Sequence, residues 1–248
     1  MKLPAGWIAP EWPAPPRVRA FVTTRAGGVS AGEHASMNLG LSSGDAPESV
    51  ARNRAIVRAL LPSDPAWLAQ VHGTDVADLD APPGAERPRA DAAATSTPGR
   101  VAVVLTADCM PLFLCDRAGR RVAVAHAGWR GMAAGVIENA VRAIGADPSE
   151  VCAWMGPTIG PAAFEVGGEV KEAFVRDDRQ AASAFAPHVP GKFMADLYAL
   201  ARRRLARAGV GEVHGGGFCT WRETDRFFSY RRVQESGRMG AFIWIMPP

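Results

Sequence analysis

Cys109, in Thr106-Ala107-Asp108-Cys109-Met110-Pro111-Leu112, and His126, in Ala125-His126-Ala127-Gly128-Trp129-Arg130-Gly131, each stand at the end of a strongly apolar run. Gln70-Val71-His72-Gly73 brings a second histidine to the end of another apolar stretch, so one thiol and two imidazoles can leave buried strands together. A thiolate with two imidazoles can bind a metal or run nucleophilic chemistry. The wide separation of the three lacks the tight Cys-x-x-Cys or His-x-x-x-His spacing of structural zinc modules. Three ligands from three strand ends instead suit an open catalytic site, which keeps a position for water or substrate. Taken singly, Cys109 reads as a small buried hydrophobe and His126 as an imidazole capping a strand-to-helix turn. Their combination with His72 carries the chemistry.

Other residues could hold a polar ligand. Thr23-Thr24-Arg25-Ala26-Gly27-Gly28 has the composition of an anion-holding turn, in which Gly27 and Gly28 free backbone amides and Arg25 offers a bidentate fork. Arg130, beside the Gly128 turn, is a second arginine for a phosphate or carboxylate. Asn38 offers an amide, whereas Asn53-Arg54 lies inside a helical pattern and reads as structural. Glu165 supplies a carboxylate beside glycine turns, a partner for a ribose hydroxyl or a metal-bound water. Tyr230 and Arg231, in Phe227-Phe228-Ser229-Tyr230-Arg231-Arg232, combine ring and guanidinium in the way that stacks a base and holds a phosphate. The plainer reading of that segment is a core edge with a solvated basic rim. Asp108 could orient a neighbouring donor, and Cys115 reads as core.

Strands must deliver these groups. Runs rich in Val and Phe and closed by turn residues predict strands over 18–24, 67–71, 101–106, 112–115, 122–126, 151–155 and 241–246. Helical spacing of apolar residues predicts helices over 49–61, 131–144, 168–175 and 193–208, with Gly145 as the stop of the second. Strands in succession, interleaved with helices, suggest a mixed α/β layered sandwich.

The 248 residues, 48% of them apolar, can fill a continuous core, and a single domain over 1–248 is expected. A net charge of only +3, with arginines scattered among Asp and Glu, argues against a nucleic-acid partner. The start lacks the apolar core of a secretory signal and no run approaches the ~20 apolar residues that span a bilayer, so a cytoplasmic protein without membrane contact is expected. Four cysteines without a Cys-x-x-Cys pair point to reduced thiols.

In order, Thr-Thr-Arg-Ala-Gly-Gly, Met-Asn-Leu-Gly, Gln-Val-His-Gly, Thr-Ala-Asp-Cys-Met-Pro-Leu, His-Ala-Gly-Trp-Arg-Gly, Gly-Pro-Thr-Ile-Gly and Phe-Ser-Tyr-Arg-Arg run through nearly the whole chain. Together they resemble the laccase-domain family, first labelled polyphenol oxidases and now described as purine nucleoside phosphorylases. The resemblance implies an α+β fold, a mixed-sheet α/β/β/α four-layered sandwich like that of cytotoxic necrotising factor-type cysteine deamidases. It implies a Zn2+ site of His72, Cys109 and His126, with Cu2+ as the alternative metal. It further implies phosphorolysis of adenosine, inosine and methylthioadenosine to free base and (methylthio)ribose 1-phosphate, with adenosine deamination as a side activity. The partners are then a small nucleoside and phosphate, and the chain a monomer or weak dimer. One departure is local: the family often carries an aliphatic residue after Asp-Ala where this chain reads Asp91-Ala92-Ala93, which touches packing rather than the metal ligands.

Three other readings compete. A four-copper oxidase needs several imidazole-rich centres, and five histidines in all leave too few, although a single-copper phenol oxidase stays open. A metal-free amide hydrolase would use Cys109 as nucleophile and His126 or His72 as base, as in editing of peptidoglycan precursors. A binding module reporting metabolite levels is the third, against which the density of ionisable residues at strand ends argues.

Overall fold

The computed structural model describes residues 2–82 and 84–247. In chain order the elements are β1 (Val18–Val22), α1 (Pro47–Arg58), β2 (Pro65–Ala66), β3 (Val76–Asp78), β4 (Ala92–Thr95), β5 (Val101–Thr106), β6 (Met110–Asp116), β7 (Val122–Ala127), α2 (Trp129–Ala134), α3 (Val136–Ile144), β8 (Val151–Met155), β9 (Glu165–Gly167), α4 (Gly168–Val175), β10 (Phe185–Pro187), β11 (Lys192–Ala195), α5 (Leu197–Arg207), β12 (Glu212–Gly215) and β13 (Met239–Ile245). They form a mixed α/β protein with three sheets: β1-β13-β5-β2, β10-β11-β9 and β12-β8-β6-β7-β4-β3.

Alternation of side chains along the central strands sorts them into three apolar cores. On β6, Met110, Leu112 and Leu114 join Ile137, Val141 and Ile144 of α3 and Leu200 of α5, while Phe113 and Cys115 point to the other face. That second face meets Val104 of β5 and Ala241, Ile243 and Ile245 of β13, so the six- and four-stranded sheets pack on each other. The intervening residues Val103, Phe242 and Trp244 turn outward against Trp7, Phe21 and Val57 of α1. Because β6 is flanked by β7 and β8 and buried along its length, its two ends are fixed points for whatever they carry.

Four expectations change. The predicted strand at 67–71 is irregular: only Pro65–Ala66 pair with β5. Beyond them the Gln70 amide substitutes for ladder bonds, donating from Nε2 to Leu105 O (2.9 Å) and accepting from Leu105 N (2.7 Å). The predicted helix at 131–144 is two helices, broken at Gly135, whose φ of +108° lies in the left-handed region that favours glycine. The predicted helix at 193–208 starts later, because Asp196 caps it by accepting from Ala199 N at 3.0 Å while Lys192–Ala195 pair as β11. Finally β4, three alanines and a threonine, carries no pattern of large apolar residues yet is wholly buried. No helix among the described residues is long and apolar enough to cross a membrane.

Candidate active site

The structure brings His72, Cys109 and His126 together: their ligand atoms lie within 4.8 Å of one another. Cys109 Sγ is 3.8 Å from His72 Nε2, and the two imidazole rings are 4.9 Å apart, centre to centre. Each arrives differently. His126 closes β7, directly opposite Pro111 on β6. Cys109 immediately precedes β6, and His72 sits in an irregular turn with φ +59°, a left-handed conformation for a non-glycine residue.

Asp91, fully buried just before β4, holds two of the three in place. Its Oδ1 accepts from His126 Nδ1 at 2.8 Å and from His72 N at 3.0 Å, and its Oδ2 from Gly73 N at 2.7 Å and Val71 N at 3.0 Å. One carboxylate thus fixes the His126 tautomer, leaving Nε2 for the centre, and pins the strained turn that presents His72. Burial alone would raise the Asp91 pKa, but the hydrogen bonds from His126, Val71 and Gly73 outweigh it and hold it down at about 2. Ala93, two residues beyond Asp91, is buried, and no motif marks Asp91 itself as part of the site. Its sequence signal was an acid heading a run of buried small residues.

Asp108 does the same for Cys109. It has φ +85°, and its backbone oxygen accepts from Thr158 Oγ1 (2.5 Å) and Ile159 N (3.0 Å). Its carboxylate accepts from Thr220 Oγ1 (2.5 Å) and Arg231 N (2.6 Å). Asp108 therefore does orient neighbouring donors, and through them it ties the Cys109 turn to the C-terminal segment. Gly128 completes the arrangement, since a Cβ there would fall 2.6 Å from Cys109 Sγ and 3.2 Å from His72 Cδ2.

In the free protein burial pushes the Cys109 thiol up, yet the imidazoles of His126 and His72 bring it down to about 6. Burial likewise lowers His126, but the Cys109 thiolate and Asp91 raise it to about 9. A half-buried thiol with two imidazole nitrogens at this spacing fits a metal ion.

The trio lies in a cleft of about 810 Å³ that is also lined by Arg130, Tyr230 and Arg231, together with Arg54, Arg87, Arg238, Trp67 and Trp129. Arg54, read as structural, is both: it donates to Leu39 O (2.8 and 3.0 Å), stacks 3.8 Å over Trp67 and lines the cleft. Arg130 stacks 4.5 Å over Trp129, and neither Arg87 nor Arg130 makes a side-chain hydrogen bond among the described residues, so their donors remain open to a ligand. Nothing in the motifs marked Arg87.

Arg25, Gly27, Gly28, Asn38 and Glu165 do not line the cleft. The Arg25 fork is spent on Ala35 O and Thr224 O, both at 2.8 Å. Gly27 and Gly28 form a turn in which Gly28 N donates to Ser36 Oγ at 3.1 Å. Asn38 is fully buried, donating to Ser43 Oγ (2.8 Å) and Asp45 Oδ2 (2.9 Å) and accepting from Arg238 N (2.9 Å). Glu165 pairs with His188 at 3.5 Å, and Arg231 reaches only its backbone oxygen, at 2.8 Å. What resembled an anion loop is a loop that satisfies its own polar groups.

The family model described as multi-copper polyphenol oxidoreductase laccase matches residues 19–246. A Pseudomonas aeruginosa protein named purine nucleoside phosphorylase is 52% identical over 96% of this chain and 98% of its own. Escherichia coli YfiH, named likewise, is 52% identical over the same shares of the two chains. The crystal structure of a Neisseria meningitidis DUF152 protein, 48% identical, matches with a TM-score of 0.92 over 98% of this chain and 100% of that one. With its motifs in order and its thiol–imidazole centre assembled, the chain belongs to the multi-copper polyphenol oxidoreductase laccase family, among whose members are relatives named purine nucleoside phosphorylases.

Proposed function

We propose that the protein, acting as one domain over 1–248, is a zinc-dependent purine nucleoside phosphorylase acting on adenosine, inosine and methylthioadenosine, with adenosine deamination as a side activity. The observation that carries this reading is the cleft itself: the His72–Cys109–His126 centre opens into a space bordered by free arginines and aromatic rings. The names of the relatives point the same way. Zinc held by the three residues would supply Lewis acidity at neutral pH, for charge leaving with the purine and for attack on its C6 in the side activity.

Phosphorolysis forms a bond from a phosphate oxygen to the ribose anomeric carbon while the bond to the purine nitrogen breaks, its electron pair leaving with the base. The chain's own part is to bind and orient. Arg87 and Arg130 neutralise phosphate, and Arg231, anchored by Glu165 O, adds charge at the mouth. Trp67, Trp129 and Tyr230 offer faces for the purine and exclude water around it. Asp91 keeps His126 oriented, so the electrostatics are in place before substrate arrives. The three apolar cores support a four-layered α/β/β/α reading of the fold.

Chromatography of adenosine incubated with zinc-loaded protein, with and without phosphate, tests this. Adenine released only when phosphate is present, and not by Cys109→Ala, is expected; adenosine intact in every tube would end the nucleoside reading. One observation favours a second reading: Asp91, His126 and Cys109 form a carboxylate–imidazole–thiol relay suited to amide hydrolysis. Activity that survives chelation but not alkylation would select it.

A further inference from the structure

A second group of donors lies at the far end of β6 from Cys109. Cys115, six residues on, stands ~20 Å away along an extended strand, and its register partner on β8 is Cys152. Cys152 in turn is the register partner of Glu212 on the parallel edge strand β12. Register partners share a face, and so do residues two apart, which puts Cys152, Glu212 and His214 on one side of the sheet. A sulfur, a carboxylate oxygen and an imidazole nitrogen from these three lie within 4.8 Å of one another.

The partners each group has are informative. His214 Nε2 is removed from solvent and has no hydrogen-bond partner among the described residues, although the ring as a whole is 37% exposed. Glu212 Oε1 lies 3.6 Å from it, too far for a hydrogen bond and suited to a shared ion. The other oxygen, Oε2, is buried and forms an ion pair with Arg117 Nη2 at 2.5 Å, with no hydrogen bond among the described residues. One carboxylate oxygen is therefore paired with a cation while the other faces His214, the arrangement by which an outer partner orients a metal ligand. Cys152 is a free thiol with 1% exposure.

We propose that Cys152 Sγ, Glu212 Oε1 and His214 Nε2 form a second, structural site for a divalent transition metal of the zinc class. Thiolate, imidazole and carboxylate together are borderline-soft donors that suit zinc, and three of them leave a fourth position for solvent at the sheet edge. The site lies outside the large cleft. Its role follows from topology: β12 is a four-residue edge strand paired only with β8, and the ion ties the two together across their register.

Full-length protein, stripped of metal and kept reduced, is titrated with cobalt and then zinc as wild type, Cys109→Ser, Cys152→Ser, and Cys109→Ser combined with His214→Gln. Cys109→Ser should still take up one equivalent of cobalt with a sulfur-to-cobalt charge-transfer band, and zinc should raise its melting temperature. Adding His214→Gln should abolish the band and the zinc-dependent rise. Absence of the band from Cys109→Ser, or its persistence after His214→Gln, overturns the proposal. Should Cys152→Ser fail to fold, the His214 variant at the half-exposed edge decides alone.

Discussion

Two thiol–imidazole groups hang on the same six-stranded sheet, and their surroundings differ more than their donors. His72, Cys109 and His126 come from a turn, a strand start and a strand end, and two buried aspartates with wide hydrogen-bond networks hold them facing a cleft of about 810 Å³. Cys152, Glu212 and His214 come from two neighbouring strands in register, with one surface arginine beside them, outside that cleft. Strand ends can be bent toward a shared space, whereas ladder positions are committed to their sheet. Donor identity suggests metal binding in both places, but only the first has the room and the preorganisation for catalysis.

Replacing one donor in each group breaks the comparison most sharply. Cys109→Ala is expected to lower kcat/KM for phosphorolysis by roughly 10³-fold, on the order of 4 kcal/mol, while His214→Gln leaves it within about twofold. Comparable losses from both substitutions would mean the two groups are not functionally separate.

Next in size is Asp91→Ala. It should weaken metal binding at the first centre by roughly 10–100-fold. Leaving His126 and three amides without their acceptor should also cost about 3–5 kcal/mol in urea unfolding. The same carboxylate gives a signed pH effect. Its pKa in the folded protein, about 2, lies below the ordinary 3.8, so the stability it contributes is complete above pH ~4 and lost as pH falls through ~2. The shift corresponds to about 2 kcal/mol, seen as an acid limb steeper in wild type than in Asp91→Asn.

The smallest effect separates the two kinds of arginine. Arg130→Ala should raise the KM for phosphate about tenfold with little change in melting temperature, because its guanidinium lines the cleft without a hydrogen-bond partner among the described residues. Arg25→Ala should do the reverse, destabilising the fold by freeing Ala35 O and Thr224 O while leaving the KM for phosphate alone. Equal KM effects would show that the Arg25 loop reaches substrate after all.

The central trio was legible because histidine and cysteine at the ends of apolar runs are conspicuous, and strands β5 to β8 are long and apolar enough to declare themselves. Tyr230, Arg231 and Arg130 stand out in the sequence in the same way, as rings or guanidinium groups beside glycines and other arginines, and all three line the cleft. Arg25 and Asn38 misled because an arginine or amide in a glycine-rich turn looks the same whether it binds a ligand or the backbone. Asp91 escaped because its role depends on the turn at Val71–Gly73, which lies far from it in sequence and near it only after folding.

By itself the amino-acid sequence determined the alternation that sorts Leu112 from Phe113 and Val103 from Val104, since period-two burial is a local property of each strand. It likewise determined which side chains could ligate a metal. Only the tertiary structure decided which polar groups were left without partners inside the protein. Arg25, Asn38 and Glu165 found theirs in nearby loops, whereas Arg87, Arg130 and His214 Nε2 have none among the described residues, because hydrogen-bond satisfaction is settled by groups that folding brings together from distant parts of the chain.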